Sequence, residues 1–220
     1  MKRSLLTVLL LALVGLYVFA GGKQPAAAEK PAAAKDSAKD SPKDSPTGAP
    51  RFTANNQLIR PENYREWVYL SSGLGMSYSG EAPGGDSSMG PMFDNVWVHP
   101  DAYRHFMATG TWPDQTIFVL EVRHSTGKAS INKDGRFQAE LVALEASVKD
   151  EKRFPTKWAY FGFMNDGKLK DSASAFPNSA CYQCHTTSAA VDHTFVQFYP
   201  TLRPVAEAKG TYDKKKAQGH

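Results

Sequence analysis

Cysteine is scarce in this sequence. The 220 residues include only Cys181 and Cys184, which lie three positions apart. A scaffold held by several disulfides is therefore excluded. A structural zinc site is disfavoured, because it needs four ligands and the sequence has no further cysteine and no His-x-His or His-x3-His pair. A disulfide between the two cysteines would close a very small loop and add little stability.

Cysteine is also absent directly after the N-terminal apolar stretch, which excludes a lipoprotein. Lys2 and Arg3 precede that stretch, which covers residues 5–19, and Ala20 supplies the small residue that a signal peptidase requires. The pattern predicts a signal peptide over residues 1–20 and a periplasmic location for the rest. An uncleaved membrane tether is the alternative, although the stretch is shorter than the ~20 residues of a spanning helix.

Aromatic and branched aliphatic residues are missing from residues 21–50, which consist mainly of Ala, Pro, Lys, Asp and Ser. Such a segment has too little apolar surface to offset the entropy lost on ordering, so it is predicted to be a disordered linker. Residues 51–205 contain nearly all the aromatic side chains and are predicted to form one domain. Residues 206–220 are predicted to be a basic flexible tail.

A basic stripe interleaved with aromatic residues is absent from residues 51–205. The formal net charge of +4 belongs to the two ends. Residues 1–50 carry seven Lys or Arg against four Asp or Glu, and residues 206–220 carry four against two, which leaves −1 for the domain between them. We therefore expect no nucleic-acid partner.

The pentapeptide Cys181-Tyr182-Gln183-Cys184-His185 accounts for both cysteines. Two thiols at this spacing can add to the two vinyl groups of one haem, and the histidine that follows can ligate the iron. The motif predicts one covalent haem c per chain, bound through Cys181 and Cys184, with His185 as the proximal iron ligand. A thioredoxin-like redox pair is the weaker alternative, since it would belong near the start of a βαβ unit.

Methionine is absent after this motif, and the last one is Met164. In ordinary, mostly helical cytochromes c the motif comes early and a downstream methionine is the second iron ligand, so that class does not fit. A thioether is nevertheless a normal axial ligand of haem c. Met92 is the preferred candidate for a sixth ligand and Met76 the second, with core filling as the alternative for both.

Hydrophobic periodicity predicts an α+β fold with a mainly antiparallel sheet, a few packed helices and haem c attached near the C-terminus. Strands are predicted over residues 94–98, 116–123, 141–148 and 158–163. A helix is predicted to start at Pro100 and end at Gly110, and another to cover residues 189–198. On the second strand Phe118 and Leu120 share a face, because side chains alternate with period two.

Several segments match those of a known protein family and follow one another in the same order. They are residues 64–68, 96–100 with Tyr103, 110–114, 144–150 with 152–154, 181–185 with Asp192 and Phe195, and 198–200 with 202–203. With these segments, residues 51–205 resemble the cytochrome P-460 family, which includes the cytochromes c′-beta. The resemblance implies an antiparallel β-sheet fold, a homodimer, one haem c per chain, a proximal histidine and a pocket on the other side of the iron.

Two departures from the hydroxylamine-oxidising members bear on function. In those members a lysine in the strand after the Trp-Pro-Asp turn is linked to the haem ring, and Leu120 takes its place here. A carboxylate before the first cysteine, associated there with proton transfer, is replaced by Ala180. Both departures are typical of cytochromes c′-beta, whose apolar pockets bind diatomic gases.

The sequence therefore favours an exported cytochrome that binds nitric oxide or carbon monoxide, or carries electrons to a redox partner. Oxidation of hydroxylamine or another small nitrogen compound is the alternative. Of these two roles, the non-enzymatic one is preferred. Glu145 and Asp192 could relay protons, but carboxylates in such motifs more often accept hydrogen bonds. The residues expected to surround the haem are Cys181, Cys184, His185, Leu120, Phe118 and Met92.

Overall fold

The computed structural model describes residues 48–77, 90–127 and 129–218, so the predicted signal peptide and nearly all of the predicted linker lie outside the described residues. Within these ranges the strands are β1 (Leu58–Ile59), β2 (Val68–Leu74), β3 (Phe93–Val98), β4 (Ile117–Thr126), β5 (Phe137–Lys149), β6 (Trp158–Gly162), β7 (Met164–Asn165), β8 (Lys168–Leu169) and β9 (Ser172–Ala173). The α-helices are α1 (Pro100–Thr109), α2 (Tyr182–Ser188), α3 (Arg203–Lys209) and α4 (Lys214–Ala217). None of these helices has the length and apolar character needed to cross a bilayer.

A five-stranded antiparallel sheet forms the centre of the described residues. Its strand order is β2-β3-β4-β5-β6, so neighbours in the sheet are also consecutive in the chain. Two short pairs, β1 with β9 and β7 with β8, lie outside this sheet. The predicted α+β class with a mainly antiparallel sheet is confirmed, and each predicted strand is present with ends shifted by a few residues.

The two faces of the sheet bury different sets of side chains. Ile117 and Val119 of β4 belong to a buried cluster on one face. Phe118, between them in sequence, is buried on the other face in a second cluster with Val98 and Tyr160. The predicted alternation along β4 is therefore confirmed. The second cluster also includes residues of α1 and of the segment that follows α2.

Helix α1 begins and ends where the sequence predicted. Pro100 occupies its first turn, where its fixed φ is compatible with the helix, and His99 caps it by accepting a hydrogen bond from the Asp101 N–H at 3.3 Å. Gly110 ends it with a φ of 75°, a conformation that favours glycine. Phe106 of this helix is fully buried against Trp112, with the ring centroids 4.1 Å apart.

The predicted helix over residues 189–198 is wrong. A tight turn bridges Val191 and Thr194, and a 3-10 turn at Val196–Phe198 follows it. Asp192 and His193 have φ angles of 39° and 60°, so both lie in the left-handed region, which excludes a right-handed helix. Each such non-glycine residue costs about 1 kcal/mol or more and persists only where surrounding contacts fix it.

The predicted flexible tail over residues 206–220 also differs from the structure. Ala206 is fully buried in α3, and α4 covers residues within the same segment. The hydroxyl of Thr211 donates a hydrogen bond to the Gly110 carbonyl oxygen at 2.7 Å. The N–H of Asp213 donates to the Ala190 carbonyl oxygen at 2.8 Å. The predicted flexibility is therefore corrected: most side chains of this segment are exposed, but Ala206, the Thr211 hydroxyl and the backbone of Asp213 attach it to the domain.

Glu121 of β4 is a buried carboxylate, with 2 % of its surface exposed. It accepts hydrogen bonds from the Tyr64 hydroxyl, from the Arg123 guanidinium and from Arg65, whose Nη2 lies 2.6 Å from Oε2. Burial alone would raise the pKa of Glu121, but these three donors hold it below its ordinary value. The group joins β4 to the turn that precedes β2.

Replacing Glu121 with Ala should lower the free energy of unfolding at neutral pH by about 3 kcal/mol, because it removes the shared partner of a buried ion-pair cluster. The folded-state pKa lies below the unfolded-state value. The contribution is therefore present above the unfolded-state pKa and should disappear as pH falls through the folded-state pKa. Urea titrations at several pH values measure both effects. Glu207→Ala, which removes only an exposed pair with Arg203, should leave stability almost unchanged; equal losses in the two variants would contradict this account.

Candidate functional site

The predicted haem motif lies at the start of α2. Cys181 directly precedes the helix, and the N–H of His185 donates to the Cys181 carbonyl oxygen at 3.2 Å. Both cysteines are free, Cys181 being half-buried and Cys184 exposed. Residues three and four positions apart lie on one side of a helix. The fold therefore presents Cys181, Cys184 and His185 together.

The His185 ring is held by one hydrogen bond and two aromatic contacts. Its Nδ1 lies 2.7 Å from the carbonyl oxygen of His193. A carbonyl oxygen can only accept, so Nδ1 carries the proton and Nε2 keeps a free lone pair. The rings of Tyr160 and Phe195 both pack against the imidazole, with ring centroids 4.4 and 4.5 Å from the centroid of the His185 ring. Burial lowers the pKa of His185 to about 4, which favours the neutral imidazole that binds metals.

A cavity separates this segment from the sheet. The volume of this cavity is about 130 Å³. The sheet side of the cavity is lined by Ser71, Gly73, Asp94, Val96, Phe118, Val119, Leu120, Glu145, Ala146, Ser147 and Tyr160. The other lining residues are Met76, His185, His193, Thr194, Phe195, Phe198 and Tyr199. The predicted proximal histidine and the predicted far wall therefore border one cavity.

Two of the predicted far-side residues line the cavity. Phe118 and Leu120 both contribute to its wall. Leu120 pairs with Val96 of β3 on one side and with Glu145 of β5 on the other. Because directly paired residues point to the same face of a sheet, these three side chains form one row across the wall.

The structure places the two candidate methionines differently. Met76 lines the cavity, whereas Met92, the preferred candidate from the sequence, is not among its lining residues. Met92 directly precedes β3, and its carbonyl oxygen accepts a hydrogen bond from the Gly75 N–H at 2.8 Å. A Cβ atom at Gly73 would overlap the Sδ atom of Met76. Glycine at position 73 therefore makes room for the Met76 thioether against the sheet.

Two carboxylates interrupt the predicted apolar wall. Glu145, which the sequence analysis considered with Asp192 as a possible proton relay, lines the cavity beside Leu120, and so does Asp94, which sequence reasoning missed. Burial raises the pKa of Asp94. Burial, and next the charge of Asp94, raises the pKa of Glu145. The alternation of side chains along β3 could have revealed Asp94, because it places Asp94 on the same strand face as Val96. Val96 pairs with Leu120, so Asp94 lies on the Leu120 side of the sheet.

Comparison with protein families agrees with this arrangement. The family model described as Cytochrome P460 matches residues 61–196, more than half of the chain. The chain belongs to the cytochrome P460 family. The resemblance inferred from the sequence is thus confirmed, and membership makes the protein a haem-binding cytochrome. No curated protein matches the chain.

The cavity of this cytochrome P460 family member fits a haem by its chemistry. His185 offers a neutral imidazole with a free Nε2, and the two thiols of the motif lie on the same helix side. The hydroxyl of Tyr160 is buried and has no hydrogen-bond partner among the described residues, although this side chain borders the cavity. Buried polar groups are nearly always paired, so this hydroxyl is available to a polar group of the bound haem.

The carboxyl group of Glu145 should titrate above the ordinary range of glutamates. Between the ordinary and the raised pKa it keeps its proton in the folded protein, so stability should fall as pH rises through that window. Asp94→Asn should bring the pKa of Glu145 closer to the ordinary value, because it removes a neighbouring negative charge. Carbon-13 NMR titration of labelled carboxyl groups measures this. Asp101→Asn, at an exposed position of α1, is the control and should leave the Glu145 curve in place. A Glu145 curve that overlays those of exposed glutamates would contradict the assignment.

Proposed function

We propose that this cytochrome P460 family member is an exported c-type cytochrome whose pocket binds a small diatomic gas. One haem c is bound covalently through Cys181 and Cys184, and His185 ligates the iron on the proximal side. The bound haem supplies an iron centre that changes oxidation state and accepts an axial ligand. Export rests on residues 1–20, and a homodimer is expected from the family resemblance.

The observation that carries the proposal is Leu120 in the wall of the cavity that also contains His185. In the hydroxylamine-oxidising members this strand position carries the lysine that is linked to the haem. No lysine is among the described residues that line the cavity. Leucine cannot form the cross-link and offers no hydrogen bond. Nitric oxide and carbon monoxide require neither a base nor a hydrogen-bond donor for binding, so an apolar surface accommodates them.

Oxidation of hydroxylamine or another small nitrogen compound is the second candidate, favoured by Asp94 and Glu145. Dehydrogenation of such a substrate requires groups that accept protons, and a carboxyl group with a raised pKa is suited to general acid–base chemistry near neutral pH. Both carboxylates border the cavity beside Leu120. They do not replace the missing cross-link, and for this reason gas binding is the first candidate.

Covalent attachment can be tested by extraction. Acid-acetone should leave the haem on the parent polypeptide, with a pyridine haemochrome of the c type, because thioethers resist this treatment. The double variant Cys181→Ala, Cys184→Ala should release any haem it binds. The single variant His185→Ala should keep the covalent haem but lose the parent spectrum, because its proximal ligand is gone. Haem that extracts freely from the parent would overturn the proposal of haem c.

Gas binding can be tested with carbon monoxide. The ferrous parent should bind it with an ordinary c-type spectrum, lacking the red-shifted reduced Soret band that accompanies the lysine cross-link. Met76→Ala should bind carbon monoxide faster, because removing a side chain from the cavity wall opens the ligand's approach. Met92→Ala is the matched control and should bind at the parent rate. Flash photolysis measures these rates.

Hydroxylamine separates the two candidate functions. The parent should turn it over slowly or not at all when an artificial electron acceptor is supplied. Rapid turnover that falls in Glu145→Gln and Asp94→Asn would favour the oxidoreductase instead. Acceptor reduction followed spectroscopically gives the rate for all three proteins. A parent that fails to bind carbon monoxide would remove gas binding as the first candidate.

A further inference from the structure

The turn after α2 contains the hydrogen-bond acceptor of His185. The N–H of Thr194 donates a hydrogen bond to the Val191 carbonyl oxygen at 2.7 Å, and the N–H of Val191 donates one to the Thr194 carbonyl oxygen at 3.3 Å. The two central residues, Asp192 and His193, both have positive φ, as in type I′ turns. The carbonyl oxygen of His193, in the middle of this turn, is the acceptor for His185 Nδ1. Its position therefore depends on how the turn is held.

Asp192 fastens the turn to two strands of the sheet. Its Oδ2 lies 2.8 Å from Lys149 Nζ, at the end of β5. Its Oδ1 accepts a hydrogen bond from Trp158 Nε1, at the start of β6, at 3.1 Å. Trp158 is fully buried and Lys149 is 9 % exposed, so neither partner moves freely. Both carboxylate oxygens of Asp192 are therefore engaged with rigid parts of the fold.

The partners of Asp192 are themselves held in place. Lys149 Nζ also donates to the Trp112 carbonyl oxygen at 2.9 Å and lies 3.5 Å from Glu151 Oε1. Trp112 also contacts the turn directly, because its Nε1 donates a hydrogen bond to the Thr194 hydroxyl at 2.8 Å. That hydroxyl donates to the Val191 carbonyl oxygen at 2.6 Å. The turn is thus fixed at both ends by buried groups, which explains why two non-glycine residues keep left-handed conformations.

We propose that Asp192 is a positioning residue for the proximal histidine. Held by Lys149 and Trp158, it fixes the turn so that the His193 carbonyl oxygen remains in hydrogen-bonding distance of His185 Nδ1. This inference rests on the proposed function, in which His185 ligates the iron. It assigns Asp192 a structural link to the haem rather than a role in proton transfer.

The expected consequence is electronic. A hydrogen bond from Nδ1–H to a carbonyl oxygen fixes the tautomer and orientation of a ligating histidine and raises its basicity. A more basic imidazole stabilises the ferric state and lowers the reduction potential. Loosening the turn should weaken the hydrogen bond. The reduction potential should then rise, and the iron–histidine stretching frequency of the ferrous haem should fall.

Two substitutions at position 192 separate the anchor from the backbone conformation. Asp192→Gly permits positive φ but removes both side-chain contacts, so the potential should rise and the iron–histidine frequency should fall. Asp192→Asn keeps an oxygen for Trp158 Nε1 and tolerates the left-handed region, so it should remain closer to the parent. Trp158→Phe removes only one donor and should shift both quantities in the same direction by a smaller amount. It also provides a test if Asp192→Gly does not fold.

Asp166→Gly is the matched control. Asp166 has a φ of 46° and, with Gly167, forms the two-residue connection between β7 and β8. Its carboxylate accepts a hydrogen bond from the neighbouring Asn165 amide at 3.2 Å. The Asp166→Gly variant should keep the reduction potential and the iron–histidine frequency of the parent, even if its stability changes. Resonance Raman spectra and redox titrations of the haem-loaded proteins provide both quantities.

The possible outcomes are distinct. The positioning role would be overturned if Asp192→Gly and Trp158→Phe both kept the reduction potential and the iron–histidine frequency of the parent. An equal shift of these quantities in Asp166→Gly would overturn it as well. In either case the proposed function would stand. A parent whose haem is not ligated by histidine would overturn both. A shift confined to Asp192→Gly and Trp158→Phe, larger in the first, would support the inference.

Discussion

Burial of both faces of one antiparallel sheet is the constraint on which this structure depends. Side chains alternate along each strand, so a five-stranded sheet has two surfaces that must be covered. One surface is closed by a dense apolar cluster that includes Ile117 and Val119. The other packs against α1 and the segment containing α2, but a cavity remains between them. The site therefore consists of the part of the second surface that protein side chains leave uncovered.

The balance of groups along this cavity decides which chemistry it supports. Leu120 provides an apolar centre, while Asp94 and Glu145 beside it are carboxyl groups whose pKa is raised by burial. A protonated carboxyl group is less costly to bury than a carboxylate. At low pH the wall is thus nearly uncharged, and it gains negative charge as pH rises. Ligand preference and pH are consequently linked through the same two side chains.

Much of this arrangement could be predicted from the sequence, because it depends on local patterns. Alternation gave the strands and placed Leu120, and the Cys-x-x-Cys-His spacing brought two thiols and His185 onto one helix. The remainder depends on contacts between distant residues. The turn at Asp192 is fixed by Lys149, 43 residues earlier in the chain, and propensity alone favoured a helix there. Met76 rather than Met92 lines the cavity, because Gly73 leaves space that no local pattern reveals.

Strand β5 forms part of one wall of the cavity and supports the other. Glu145 belongs to the wall beside Leu120, and Lys149 holds the turn whose carbonyl oxygen contacts His185. The two residues are four positions apart on one strand, or about 13 Å, and this part of β5 is paired with neighbours on both sides. Separating the walls would require either bending the sheet or breaking the contacts of Asp192 with Lys149 and Trp158. The spacing between the two walls is therefore set by the length of one strand.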